Sequence, residues 1–419
     1  MRSSGLFFSV LFLFSMLFLA GCFERGSDSF RRDLKAAGGG DAEAQCRVAC
    51  CYYKGDGIPA NKAEAAKWFR KSADQGNAYA QCMMGSCFYD GDGVEKNPVE
   101  AVDWWRKSAD QGFAFAQYNL GHCYEAGEGV GQDLGAAVEW YSKSAKQGFP
   151  TAQYSLGMAY YNGKGVKQDK SVAAKLFKMA AEQGDSRSQL FLGNCYSNGD
   201  GVPFDDVEAA KWMRKSAEQG NPAAQYNLGL FLYNGRGVEI DRKEAVDWWR
   251  KSAEAGFAKA QCNMGLCCYN GDGVPVDKSE AVKWFEKAAG QGEPEAQFML
   301  GLCLFRKECL SKDESEAGKL FAKSEKWLRG SAENGDYEAQ FYLGVSFYEG
   351  YGVAADKKEA VKWWRKSAEL GNMIAQCRLG ECYLKGDGVA KDMREAEKWL
   401  SKSADQGNDE ARKLLEGCK

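Results

Sequence analysis

The chain has 419 residues and a net charge of −3, with 55 Lys and Arg against 58 Asp and Glu. It is too long for one ordinary compact core, and at 45% hydrophobic residues it is too apolar to be wholly disordered. The near balance of charges argues against a nucleic-acid partner held by bulk positive charge. The single histidine, His122, excludes a two-histidine zinc site, and we expect neither a metal nor a cofactor.

The first residues have the pattern of an export signal. A positive charge precedes the 15-residue apolar run 6–20, which is short for a membrane span. The run ends in Leu-Ala-Gly-Cys, which resembles a bacterial lipobox. This resemblance implies a signal peptide over 1–21 and lipidation of Cys22. The residue after Cys22 is Phe23 and not aspartate, and for lipoproteins of this kind that favours the outer membrane of a Gram-negative cell. An uncleaved anchor and ordinary secretion after cleavage nearby are the alternatives.

A glutamine preceded by Ala or Ser recurs every 36 residues, and we call it the anchor glutamine. Ten units run from residue 41 to 407, and the eighth, 293–335, carries seven extra residues. A period in the thirties is typical of a helical solenoid. The anchor glutamines are Gln45, Gln81, Gln117, Gln153, Gln189, Gln225, Gln261, Gln297, Gln340 and Gln376.

Each unit is predicted to contain two helices, A and B. In the unit 77–112, helix A runs from the glutamine phrase to Tyr89, where paired glycines end it. Helix B then runs from Pro98 to Asp110, because proline is tolerated at a helix start and Gly112 stops the helix.

Positions of helix A are numbered as slots from the anchor glutamine, slot 0, at 100° per residue. Slots 3, 4, 6 and 7 form one apolar packing face, and slot 4 is glycine in nine of ten units, as at Gly85. Helix B carries a tryptophan at one position in nine units, and we interpret it as core. These residues are Trp68, Trp104, Trp140, Trp212, Trp248, Trp284, Trp327, Trp363 and Trp399.

Units such as 224–256 resemble Sel1-like repeats, which are related to the tetratricopeptide repeat. The resemblance implies an all-α fold, a right-handed α/α solenoid with helix A on its concave side. It also implies a non-enzymatic adaptor that binds a protein or a peptide. Residues 22–40 are predicted to form a lipidated tether and N-terminal half-repeat, and 408–419 a C-terminal capping helix. We expect a monomer.

Unit 8 lacks the Gly-x-Gly-Val turn of the other units. Its seven extra residues amount to about two helical turns, so they could lengthen helix B without changing the phase of Trp327. A protruding partner contact or hinge and a tolerated surface insertion are the alternatives.

Most of the 16 cysteines fall at slots 1 and 6. Slot 6 faces the core, where cysteine serves as a small hydrophobe. Exported proteins meet oxidising surroundings, so bridges between adjacent units are the alternative to buried free thiols. Cysteines at slots 1 and 6 of the same helix are too far apart to bridge. The candidate cross-repeat pairs are Cys46/Cys87, Cys82/Cys123, Cys262/Cys303 and Cys377/Cys418.

Slots 1, 5, 8 and 9 lie opposite the packing face and would form a concave groove. Slot 5 is aliphatic in four successive units, and aromatic side chains flank it. An apolar stripe outside the core usually marks a binding surface, although slots 1 and 8 could equally hold packing aromatics. The predicted partner-binding residues are Leu230, Leu266, Leu302, Val345, Tyr226, Phe298 and Phe341.

The alternative function is a cell-wall-related protein that binds β-lactams or hydrolyses them weakly, a label that some cysteine-rich relatives carry. A serine β-lactamase needs Ser-x-x-Lys, and this sequence has none. We therefore predict no catalytic residue and expect a membrane-tethered adaptor.

Overall fold

A computed structural model of the chain describes residues 27–305 and 314–416, and these residues form 22 helices and no strand. Within those ranges, none of the helices combines the length and the apolar character that crossing a membrane requires. The helices are α1 Ser27–Gly38, α2 Ala42–Lys54, α3 Lys62–Asp74, α4 Ala78–Asp90, α5 Pro98–Asp110, α6 Ala114–Ala126, α7 Leu134–Lys146, α8 Pro150–Asn162, α9 Lys170–Glu182, α10 Ser186–Asn198, α11 Asp206–Glu218, α12 Pro222–Asn234, α13 Arg242–Glu254, α14 Ala258–Asn270, α15 Lys278–Gly290, α16 Pro294–Phe305, α17 Glu314–Glu333, α18 Tyr337–Glu349, α19 Lys357–Glu369, α20 Met373–Lys385, α21 Met393–Asp405 and α22 Asp409–Glu416.

Helices α2 to α21 form ten consecutive pairs, each consisting of a helix A and a helix B. Within each of the two compact parts of the chain, helix A packs against helix B of its own repeat, as α4 does against α5, and helix B packs against the next helix A, as α5 does against α6. The prediction of an all-α solenoid of about ten 36-residue repeats is confirmed. The repeats belong to two compact units, Met1–Trp212 and Met213–Lys419.

The turn between helices A and B requires glycine. In the second repeat Gly91 and Gly93 have φ angles of 81° and 75°, in the left-handed region that side chains disfavour. Gly93 also lies against the helix B of the preceding repeat. A Cβ atom at this position would lie 2.1 Å from the carbonyl oxygen of Lys62, so a side chain would push the repeats apart.

The slot-4 glycine lets helix B approach helix A closely. A Cβ atom on Gly85 would lie 2.5 Å from the ring of Trp105, which is buried. The side chain that packs against Gly85 is therefore Trp105, whereas the tryptophan predicted from the sequence is its neighbour, Trp104. Trp104 is also buried. The ammonium group of Lys107 lies over its indole ring, 4.1 Å from the ring centroid.

Buried anchor glutamines join successive repeats. All ten are buried, and in each the Nε2 group donates to a carbonyl oxygen eight residues upstream, as Gln81 does to Ala73 at 3.1 Å. That carbonyl belongs to the last turn of the preceding helix B, and it also accepts from the N–H of the glycine three residues later, as Ala73 does from Gly76 at 3.0 Å. In at least six repeats a second glutamine after helix B donates to the anchor, as Gln111 does to Gln81 at 2.7 Å. We call this arrangement the glutamine ladder.

Half-repeats cover both ends of the array. Helix α1 packs on α2 through Phe30 and Ala37, which are buried with Val48. At the other end Arg412 of α22 occupies the anchor slot and donates to the carbonyl oxygen of Ala404 at 3.4 Å. An arginine therefore makes the bond that glutamine makes in the ten full repeats.

The eighth repeat has a longer helix B than the others. Helix α17 has 20 residues, against 13 in α15, so about two turns are added. The expectation that Trp327 lies in the core is wrong, because its side chain is 38% exposed. Phe321 packs against Gly301, the slot-4 glycine that precedes it by 20 residues. In the second repeat Trp105 packs in the same way against Gly85, which also precedes it by 20 residues. Trp327 lies six residues further on, about 240° around the helix and away from α16.

In two repeats the anchor glutamine lacks the bond from a second glutamine, and this gives a stability test. Ala255 and Leu370 replace the second glutamine, and the buried Oε1 atoms of Gln225 and Gln340 have no hydrogen-bond partner. We expect Leu370→Gln to raise the free energy of unfolding by about 1 kcal/mol, the usual contribution of one hydrogen bond. Urea unfolding followed by circular dichroism measures the change.

The matched control for this prediction is Leu370→Ala, which removes the same exposed leucine without supplying an amide. Equal stability of the Gln and Ala variants would contradict a stabilising role for the second glutamine.

Candidate partner-binding site

The structure separates the seven predicted groove residues into two classes. Tyr226, Leu230, Leu266, Phe341 and Val345 are partly buried and reach the surface. Phe298 and Leu302 differ from the expectation of a solvent-facing stripe, because only 2% and 4% of their surfaces are exposed. The rings of Phe321 and Tyr342 cover Phe298, with centroids 5.4 and 4.8 Å away.

A cavity of about 420 Å³ lies beside the helices A of repeats seven to ten, within the second compact unit. Four of the seven predicted residues line it, and Tyr226, Leu230 and Phe298 do not. The walls are mainly apolar and aromatic. The lining residues are Leu266, Tyr269, Asn270, Met299, Leu302, Phe341, Tyr342, Val345, Tyr348, Glu349, Trp364, Ile374, Arg378, Glu381, Cys382 and Asp387.

Sequence reasoning missed the lining residues at slots 2 and −2. Slot 2 holds Met299, Tyr342 and Arg378, and slot −2 holds Ile374. Slot 2 lies at about 200° around helix A, just beyond the sector of about 80° to 180° that holds the groove slots, and slot −2 lies at about 160°, inside it. Widening the sector by about 20° and including the residues before the anchor glutamine would have found them.

The carboxylates on the tenth-repeat side of the cavity are paired with cations. Arg378 and Lys385 lie 2.9 and 2.7 Å from the carboxylate of Glu381. Desolvation opposes ionisation of Glu381, but hydrogen bonds from these two cations lower its pKa. Lys357 at 2.9 Å, together with a hydrogen bond from the Tyr348 hydroxyl, lowers the pKa of Asp387. This side of the cavity is therefore electrically balanced.

The slot-8 tyrosines serve contacts between repeats. The Tyr53 hydroxyl donates to Asp92 at 2.7 Å, and the Tyr348 hydroxyl donates to Asp387 at 2.8 Å. In each case the acceptor lies 39 residues later, in the turn of the following repeat. These bonds favour the packing interpretation of slot 8 over a direct role in ligand binding.

The thirteen cysteines in the described part of the chain are buried free thiols. They include seven of the eight predicted pair members, Cys46, Cys87, Cys82, Cys123, Cys262, Cys303 and Cys377. Cys418 lies outside the described residues, as do Cys22 and the signal peptide. Burial, with a smaller effect from Glu128, raises the pKa of Cys123 to about 12. Buried thiols of this kind are poor nucleophiles at neutral pH.

Metal ligands are not clustered in the part of the chain that the structure describes. No group of three or more His, Cys, Asp or Glu side chains there has a geometry that could hold a metal ion. The single histidine, His122, is partly buried at slot 5 of the third repeat.

Comparison with known families gives one match. The family model described as the Sel1 repeat matches ten segments that lie between residues 42 and 408. These segments are 42–77, 78–113, 114–149, 150–185, 186–221, 222–257, 258–293, 294–326, 338–372 and 374–408.

Solved structures with the same architecture include two with substantial sequence identity. The c5321 protein, a protective antigen of uropathogenic Escherichia coli strains with an SLR fold, is 32% identical with a TM-score of 0.71; the match covers 93% of this chain and 90% of that one. A Sel1 repeat protein from Oxalobacter formigenes is 31% identical with a TM-score of 0.54, over 58% of this chain and 96% of that one. Comparison with curated proteins found no match.

The buried thiols give a chemical test. We expect Cys46, Cys87, Cys262 and Cys303 to react slowly with N-ethylmaleimide in the native protein and rapidly in concentrated urea, because burial keeps the thiols protonated and shielded. Mass spectrometry of tryptic peptides measures labelling at each cysteine. Recovery of Cys46 linked to Cys87, or of Cys262 linked to Cys303, under non-reducing conditions would instead establish cross-repeat bridges.

Proposed function

Because the chain belongs to the Sel1 repeat family, we propose that it is a membrane-tethered scaffold that binds a protein or peptide segment in the cavity beside α14, α16, α18 and α20. Solenoids of the Sel1 and tetratricopeptide type generally act as non-enzymatic adaptors for protein partners. The observation that supports this site most strongly is the mainly apolar cavity of about 420 Å³.

The cavity has the properties of a side-chain anchor site. Its volume falls in the range of about 300–1,000 Å³ that is common for ligand pockets. Leu266, Phe341 and Val345 line it while remaining partly exposed, so burial against a partner would remove further apolar surface from water. Aromatic and aliphatic pockets with a polar rim are typical of interaction hot spots.

The tether is proposed from the sequence alone. The apolar run 6–20 followed by Cys22 supports a lipid anchor, and several acyl chains on one cysteine would give stable membrane attachment. The similar protein from uropathogenic E. coli is a protective antigen, which is consistent with export to the outer membrane. A periplasmic and a surface-exposed orientation are both compatible with this proposal.

The β-lactam alternative gains no support from the family match or from the cavity. The cavity lining contains no serine, and the sequence contains no Ser-x-x-Lys.

We expect a double variant, Leu266→Gln with Val345→Gln, to reduce partner capture by about tenfold or more, because both changes place amides on the apolar wall. The measurement uses the full chain in detergent micelles, immobilised and incubated with envelope and secreted fractions. Quantitative mass spectrometry compares what each variant retains.

The matched control is Leu230→Gln, which changes the same slot of the sixth repeat outside the cavity. Retention of one partner by the wild type and this control, but not by the double variant, is the expected result. A partner held equally by all three proteins would move the binding site away from the cavity.

A further inference from the structure

Four acidic residues lie at the starts of two helices A beside the cavity. Glu293 and Glu295 belong to the start of α16, and Asp336 and Glu338 to the start of α18. We call these four residues the acidic edge. Glu295 precedes the cavity-lining Met299 by four residues, and Glu338 precedes the cavity-lining Phe341 by three and Tyr342 by four.

Residues three or four apart share one face of a helix. The two glutamates therefore lie about one helical turn from the cavity lining, on the same faces of α16 and α18. None of the four acidic residues lines the cavity itself, so the acidic edge flanks the cavity, one helical turn from its lining.

The acidic edge carries negative charge that the protein does not neutralise. In the described ranges, no lysine or arginine forms an ion pair with Glu295 or Glu338. Burial, followed by repulsion from Glu338 and Glu293, raises the pKa of Glu295 to about 7. A hydrogen bond from the Cys262 thiol and the position of Glu295 at a helix start both favour its charged form, but they do not restore its ordinary pKa.

The neighbouring groups whose pKa values respond to Glu295 are neutral, and they do not balance its charge. Cys262 on α14 and Tyr226 on α12 are held in their neutral forms, since burial and then the charge of Glu295 raise the pKa of each. Desolvation and the nearby Asp336 likewise raise the pKa of Glu338. Among the residues that the structure describes, no cation contributes to the shift in the pKa of Glu295, whereas Glu381 and Asp387 at the cavity are each paired with lysine or arginine.

We propose that the cavity binds a cationic amphipathic segment of a partner protein, with an apolar side chain in the cavity and a lysine or arginine on Glu295 and Glu338. This inference rests on the proposed function, which requires only that the cavity binds some segment. It adds the chemistry of the occupant.

Electrostatics distinguish this occupant from other segments. A purely apolar segment would cover Glu295 further and leave an unpaired carboxyl group in its interface. An acidic segment would face four carboxyl groups that already repel one another. A lysine or arginine converts the same groups into charge-assisted hydrogen-bond acceptors and favours association through opposite charge.

The inference predicts that binding and ionisation of Glu295 are coupled. Below about pH 7 Glu295 carries a proton in the free protein, and a cation pairs only with its ionised form. If Glu295 is ionised in the complex, raising the pH from about 6 to about 8 strengthens binding by about tenfold, the ratio of the ionised fractions at those two values. Binding also releases a proton near neutral pH.

The test selects ligands from a random peptide-display library on the immobilised full chain in detergent micelles. The proteins compared are the wild type, Glu295→Gln with Glu338→Gln, and Leu266→Gln with Val345→Gln. The control is Glu43→Gln, which removes an acid from the same slot of the first repeat. We expect wild type and control to enrich peptides that combine large apolar residues with lysine or arginine.

Each result of the selection has one meaning. Loss of the basic preference on the Glu295→Gln, Glu338→Gln protein supports the inference. Apolar peptides without basic residues overturn it and leave the proposed function intact. Peptides that bind the Leu266→Gln, Val345→Gln protein equally well overturn the cavity as the site. If no peptide is enriched, the inference is overturned, since it requires that a short segment suffices.

Fluorescence anisotropy with one enriched, histidine-free peptide then measures affinity at about pH 6 and about pH 8. The expected result is about tenfold tighter binding at the higher pH for the wild type and the Glu43→Gln protein, and no such dependence for Glu295→Gln. A pH dependence that persists in Glu295→Gln would overturn the assignment of the partner's cation to this glutamate.

Discussion

Every helix A begins with a buried glutamine amide, and the structure depends on the hydrogen bond that joins this amide to the preceding repeat. In each of the ten repeats the amide donates to the carbonyl oxygen eight residues upstream. A buried glutamine amide without this partner would cost about 1–3 kcal/mol. The bond therefore fixes how each helix A follows the preceding helix B.

This constraint explains which positions are uniform along the chain and which vary. The anchor glutamine, the slot-4 glycine and the two turn glycines meet neighbouring backbone or rings at close range, and Gly93 has no room even for a Cβ atom. Slot 5 varies more widely, from the buried Ser86 through the partly buried Leu266 to Glu381. Variation on the free face of helix A gives one stretch of the array a cavity with an acidic edge while the framework stays the same.

Much of this architecture follows from the sequence because its signals are periodic. The 36-residue spacing of the glutamines predicts the number of repeats, and glycines such as Gly91 mark the ends of helices. The anchor glutamine itself is identified by its spacing, but its bond to the preceding repeat depends on packing between helices far apart in sequence. The second glutamine, such as Gln111, is visible only once that packing is known.

Predictions were less accurate where neighbouring helices decide burial. Helical angles placed Phe298 and Leu302 on an open face, yet aromatic side chains from α17 and α18 cover Phe298, and Leu302 is buried in the cavity wall. Trp327 has the sequence position of a core residue, but the insertion lets Phe321 take the place beside Gly301. The acidic edge has no periodic signal, because Glu295 and Glu338 stand out only through the lack of ion pairs to them in the described part of the chain.

The central claim is that the cavity between repeats seven and ten receives the partner, and site-specific photo-crosslinking in living cells tests it most directly. A photoreactive phenylalanine derivative would replace Val345 in the cavity or, in a separate protein, Leu230 outside it. The account predicts that light produces a discrete adduct from position 345 and none from position 230. An adduct from position 230 with none from position 345 would contradict it.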